Sequence, residues 1–241
     1  MDHRPLRIGA LLFEGLDQID FTGPYEVLAK LSDSTFTTYG PVAGPVADTT
    51  GLVLRADAVL EEAPQLDVLL VPGGPGQQKL MDDDRVLAWL RSQAAGAGCV
   101  FSVCTGALLL GAAGLLRGVR ATTHWAALHL LPYFGADATD ERVVFDGRLV
   151  SAGGVTAGID GALRVAELLR GTEEAQTIQL LLQYAPEPPF DCGTPATAPQ
   201  HIVDAALRPI GDLTAARLVT TRRFADRERA AGSRRTDTGS A

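Results

Sequence analysis

The residues that could do chemistry gather first around Ser102-Val103-Cys104-Thr105-Gly106. A short apolar stretch, Gly98-Cys99-Val100-Phe101, precedes it, and the helix-forming run Ala107-Leu108-Leu109-Leu110 follows. A cysteine between a buried strand and a helix, flanked by small residues, reads as a nucleophile elbow. The turn would hold Cys104 in a strained, exposed position. The helix behind it would aim its N-terminal N–H groups at the sulfur and favour thiolate over thiol. The bland alternative is a small apolar residue closing a strand, which is the commoner fate of a free cysteine.

Other segments turn the reading toward function. Asp17 and Asp20 offer a pair of carboxylates after the first strand; a carboxyl kept protonated beside a thiolate is a general acid. Asp20 is favoured because Thr22-Gly23-Pro24 reads as a helix start that fixes its direction: a capping hydroxyl, then proline in the first turn. Asp17 has no such anchor, and Glu14 lies too early in the loop. The commoner role of either aspartate is a loop or cap residue. Pro72-Gly73-Gly74 lets backbone N–H groups approach a ligand, and with the N–H of Thr105 could form an oxyanion-type pocket. A plain tight turn explains that segment equally well. His124 is a second acid/base or a pocket-lining ring, although a lone histidine is more often structural. Trp125, Gly153 and Thr156 complete the candidate lining, together with Gly73 and Asp17.

These residues need a frame. Apolar runs at 6–13, 66–71 and 98–101 are short enough for buried parallel strands. Residues 35–42 and 52–59 are β-like. Helical patterns occupy 22–31, 81–97, 125–133, 160–169, 172–184 and 200–229. Asp146-Gly147 between 142–145 and 148–152 is a hairpin signal. Strands alternate with helices, so the expectation is an α/β fold with a mostly parallel sheet covered on both faces. Ligands bind such sheets beyond the carboxyl ends of the strands. Asp20, Gly73-Gly74, Cys104 and His124 (after 119–123) all follow strands and are expected at that rim. Residues 1–200 are read as the α/β domain, 201–230 as a helical extension and 231–241 as a disordered tail.

Composition sets bounds. The chain has 241 residues, 46% hydrophobic, with a net charge of −8, which argues against nucleic acid as a partner of the whole protein. Residues 217–235 hold seven arginines against Asp226 and Glu228, a net of +5, read as a solvated helix end. Three cysteines make no disulfide framework; Cys99 is expected in the core and Cys192 as an incidental loop thiol. No cysteine pair has zinc-ligand spacing, the four histidines do not cluster, and no apolar run approaches a membrane span. Met1-Asp2-His3-Arg4-Pro5 leads straight into a strand, so a cytoplasmic location is expected.

Taken together, Leu12-Phe13, Asp20-Phe21-Thr22-Gly23-Pro24, Val71-Pro72-Gly73-Gly74, Ser102-Val103-Cys104-Thr105-Gly106, Ala121-Thr122-Thr123-His124-Trp125 and Gly153-Gly154-Val155-Thr156-Ala157-Gly158-Ile159-Asp160 resemble the ThiJ/PfpI superfamily over roughly residues 6–200. Within it they resemble the isocyanide hydratases. The resemblance implies a flavodoxin-like sandwich, a homodimer, and neither metal nor organic cofactor. It places the nucleophile at Cys104, its acidic partner at Asp20 and backbone donors at Gly74 and Thr105. The reaction it implies is addition of water to R–N≡C, giving an N-substituted formamide through a cysteine-bound thioimidate. Two other functions fit the same motifs. The ligand-sensing domain of an AraC-type regulator would need a helix-turn-helix region that the 56 residues after Ala185 hardly accommodate. A glyoxalase or other stress-response enzyme could use Cys104, Asp20 and His124. A peptidase would want histidine after the cysteine, where this chain has Thr105.

Overall fold

The computed structural model describes residues 5–237. In chain order its strands and helices are β1 (Leu6–Leu11), α1 (Gln18–Leu28), β2 (Ser34–Gly40), β3 (Gly44–Ala47), β4 (Val53–Ala56), β5 (Ala58–Val59), β6 (Val68–Val71), α2 (Gln77–Leu80), α3 (Asp84–Gly96), β7 (Cys99–Val103), α4 (Gly106–Ala112), β8 (Arg120–Ala121), β9 (Asp137–Ala138), β10 (Val143–Asp146), β11 (Leu149–Ala152), α5 (Ala157–Arg170), α6 (Thr172–Leu181), α7 (Gln200–Leu207) and α8 (Gly211–Asp237). A 3₁₀ helix spans Trp125–Phe134 and another links α7 to α8.

Seven strands form one sheet in the order β10-β11-β7-β6-β1-β2-β5. Every pairing in it is parallel except the β10–β11 hairpin, where Gly147 supplies the positive φ of the turn. β6 and β7 are buried along their whole length, as near-continuous apolar runs covered on both faces must be. One helical layer joins α1, α5 and α6; the other joins α3 and α4 with the 3₁₀ helix. This is a flavodoxin-like α/β sandwich. Among the described residues no helix is long and apolar enough to cross a membrane.

Register decides where the site forms. Val71 on β6 lies opposite Ser102 on β7, and Ala10 on β1 opposite Leu70. The chain therefore leaves β1, β6 and β7 at one level, releasing the loop before α1, the Pro72-Gly73-Gly74 turn and Cys104 side by side.

Three local expectations need correction. α1 begins at Gln18, not Thr22: Asp17 is its N-cap, accepting from the Ile19 N–H at 3.0 Å. Thr22 lies inside the helix and donates to Gln18 Oε1 at 2.9 Å. Pro24 hid this start, because proline reads as a first-turn residue and here sits mid-helix. β8 pairs only with β9, in a small sheet of its own, so His124 does not leave a strand of the main sheet. At the C-terminus, α8 is a 27-residue helix that continues through Asp237 into the stretch read as a tail; residues 238–241 of that stretch lie outside the described residues.

Candidate active site

Cys104 sits between β7 and α4 with φ of +54°, left-handed backbone that a non-glycine residue holds at a cost of about 1–3 kcal/mol. The surroundings enforce it. The Cys104 N–H donates to the Ala152 carbonyl at 2.9 Å, and Thr123 Oγ1 donates to the Cys104 carbonyl at 2.7 Å. The strain matches the elbow; the exposure does not. Cys104 is only 6% exposed. Burial pushes its thiol well up, and the Asp20 carboxyl beside it pushes the same way, while the Thr105 N–H and Arg217 pull it down. Burial thus opposes ionisation of the sulfur, against the thiolate expected of an exposed elbow.

Asp20 is completely buried in the first turn of α1. Its Oδ2 accepts from the Gly73 N–H at 3.1 Å. Its Oδ1 has no N–H or O–H donor; the neighbour that interacts with this carboxyl is the Cys104 thiol. Burial first, and then the charge of Asp17, push Asp20 up to about 8, against the opposing pull of the thiol, the Gly73 N–H and Arg217. At neutral pH it therefore carries a proton. Asp17 fixes the start of α1, and its own N–H donates to the Gly73 carbonyl at 3.0 Å, tying the α1 loop to the glycine turn.

The glycines serve the elbow rather than an open ligand pocket. A Cβ on Gly73 would lie 2.5 Å from the Thr105 nitrogen, and one on Gly74 (φ +118°) 2.2 Å from the Asp17 nitrogen. The expected donors are already engaged. The Gly74 N–H donates to Thr105 Oγ1 at 3.1 Å, the Gly73 N–H goes to Asp20, and the Thr105 N–H interacts with the sulfur. The Gly74 N–H, expected as an oxyanion donor, is held by the Thr105 hydroxyl, which is buried at 2% exposure and gains a role the sequence did not announce.

A further residue enters from outside the expected domain. Arg217 on α8 is 6% exposed. Its Nη2 donates to the Gly74 carbonyl at 3.1 Å and to Thr105 Oγ1 at 3.3 Å. Sequence reading assigned it to a solvated helix end. The only trace of its burial is its helical spacing from the buried Thr221 and Ala225.

His124, Trp125, Gly153 and Thr156 line a neighbouring cleft of about 490 Å³ with Asp140, Glu141, Arg142 and residues 193–196. Cys104 and Asp20 do not line it; Thr123, whose hydroxyl holds the Cys104 carbonyl, links the two. His124 Nδ1 accepts from the Ala126 N–H at 3.3 Å. Burial and then Arg217 pull its pKa down, disfavouring the charged ring. Its ring lies 5.4 Å from that of Trp125. Glu14 is spent on the Ala47 N–H. All three cysteines are free: Cys99 is buried and pushed up to about 12, and Cys192 is half-buried.

Comparison with known proteins follows from this geometry. The model of the DJ-1/PfpI family matches residues 6–168. An isonitrile hydratase of Pseudomonas putida is 54% identical over 201 residues, covering 83% of this chain and 88% of that protein. A glutathione-independent glyoxalase of Caenorhabditis elegans is 26% identical over 141 residues, covering 58% of this chain and 75% of that one. The crystal structure of a ThiJ/PfpI family protein from Pseudomonas syringae superposes with a TM-score of 0.88 at 34% identity, covering 90% of each chain.

Proposed function

The chain belongs to the DJ-1/PfpI family, and on that premise we propose that it is an isocyanide hydratase, adding water to R–N≡C to give an N-substituted formamide. The observation that carries the reading is the buried Cys104–Asp20 pair with a carboxyl protonated at neutral pH. The P. putida relative, similar over most of both chains, supports the substrate.

The chemistry suits that pair. An isocyanide carbon accepts a sulfur nucleophile and must then gain a proton. Cys104 Sγ bonds to the carbon as its thiol proton leaves for the Asp20 carboxyl, and Asp20 delivers its own proton to the same carbon. The product is a thioimidate, RN=CH–S–Cys104, with Asp20 again protonated. Water then adds to that carbon with Asp20 relaying protons to nitrogen and sulfur. The C–S bond breaks, releasing RNH–CHO and the Cys104 thiol. The Thr105 N–H at the sulfur stabilises negative charge there as it develops. His124 and Trp125 belong to the cleft that receives the R group. On the same reading the protein works in the cytoplasm as a homodimer, needs neither metal nor organic cofactor, and takes only a small isocyanide and water as partners.

A glyoxalase is the second reading, kept because the C. elegans relative has that activity in its name and because a cysteine with an acid partner would serve it. Turnover of an alkyl isocyanide and of methylglyoxal by the same pure protein separates them. Formamide production that exceeds methylglyoxal consumption, and that Cys104→Ala abolishes, is the expected result; the reverse preference would establish the glyoxalase.

A further inference from the structure

Arg217 is a guanidinium in an unusual setting. It is almost wholly buried, and it donates to neutral acceptors, the Gly74 carbonyl and the Thr105 hydroxyl. It forms no ion pair among the described residues, and its Nε is buried with no partner. A buried cation without a carboxylate contact is costly unless opposite charge arises nearby. The groups whose charge it meets are Cys104 and Asp20. The positive charge therefore faces the pair on which the chemistry needs negative charge to develop.

The placement is enforced from several sides. Gln78 Nε2 donates to Thr220 Oγ1 at 2.8 Å, and Arg223 pairs with Asp82, docking α8 on α2 and the turn before α3. The carbonyl that Arg217 grips, that of Gly74, also accepts the Gln77 N–H at 3.2 Å. Thr105 Oγ1 joins Arg217 to the Gly74 N–H. The guanidinium is thus locked to the two segments that border the sulfur.

We propose that Arg217 is a positioning residue for the nucleophile: from α8 it supplies the fixed positive charge against which negative charge develops on the Cys104–Asp20 pair. The C-terminal helix then completes the active site rather than decorating it. The role rests on Cys104 being the nucleophile, as argued above, and not on the substrate being an isocyanide. The other titratable groups here are Asp17, the cap of α1, which opposes ionisation of Asp20, and His124, which feels Arg217 and Asp17.

The test is the pH dependence of Cys104 alkylation by iodoacetamide in the full chain, read peptide by peptide, with Cys192 as internal control. Arg217→Gln can keep a hydrogen bond to Gly74 or Thr105 while losing the charge. Its Cys104 profile should move up by about one pH unit, with alkylation about tenfold slower at neutral pH. Arg217→Lys keeps the charge, and its profile should stay within about half a unit of the parent. An unmoved Arg217→Gln profile would overturn the proposal, as would an Arg217→Lys profile displaced by a full unit. If Arg217→Gln does not fold, Arg217→Lys decides alone. A parent protein that ignores isocyanides yet shows these shifts would remove the substrate reading and leave this one standing.

Discussion

Asp20→Asn should make the protein more stable while stopping its chemistry, and the size of the effect follows from where the carboxyl sits. In the folded chain Asp20 holds its proton up to about pH 8, whereas its ordinary value is 3.8. Between those two values the unfolded chain has ionised Asp20 and the folded chain has not. The folded state then binds more protons, and stability falls as pH rises across the window. At pH 7 the loss amounts to about 3 pH units at roughly 1.4 kcal/mol each, or about 4 kcal/mol. Asparagine cannot ionise in either state. Its Oδ1 can accept the Gly73 N–H and its Nδ2 can face the sulfur, in place of the carboxylic O–H. Thermal unfolding of both proteins should differ by on the order of 10 °C at pH 7, with the gap closing as pH falls toward 4. The same variant should lose nearly all turnover, because an amide cannot give up a proton in this step. Superimposed unfolding curves for the two proteins at every pH from 4 to 8 would refute the reasoning. Asp20 would then be ionised in the native state and unable to act as the acid.

Other outcomes follow from the same contacts. Activity should fall as pH rises through about 8, where Asp20 loses its proton; Asp17→Asn keeps the helix cap but removes the charge that raises Asp20, so this alkaline limb should move to lower pH in its rate profile. Thr105→Val leaves the Gly74 N–H and Arg217 without their shared acceptor and should cost about 1–3 kcal/mol in denaturant unfolding, whereas Thr105→Ser should stay near the parent. Cys104→Ala should fold, losing no more than about 2 kcal/mol for a small buried group, and should be inactive in a formamide assay.

Much of this was legible in the chain, for identifiable reasons. Continuous apolar runs flanked by glycine mark β6 and β7 as central strands, and Cys104 at such a strand's end, read with the other strand-end segments, pointed to an elbow. The place of Asp20 beside Cys104 was legible, but with the wrong anchor. Thr22 and Pro24 mimic a helix start, while the true cap, Asp17, looks like any loop aspartate until its Ile19 contact is seen. The state of the thiol was not legible, because pKa direction depends on burial by distant segments, and Cys104 is sealed in. The Gly73-Gly74 pair announced close backbone approach correctly but not to what. Arg217 was the hardest: in an arginine-rich helix only its spacing from Thr221 and Ala225 hints that it turns inward, since that depends on how α8 docks.

The central claim is that Cys104 bonds covalently to the isocyanide carbon, with Asp20 supplying the proton. The most direct measurement is acid quenching of the wild-type protein within a single turnover of an alkyl isocyanide, followed by mass analysis of the Cys104 peptide. The account predicts a transient gain equal to the whole mass of the isocyanide, on Cys104 and on neither Cys99 nor Cys192, that decays as formamide appears. Formamide released at the parent rate by Cys104→Ala would contradict it.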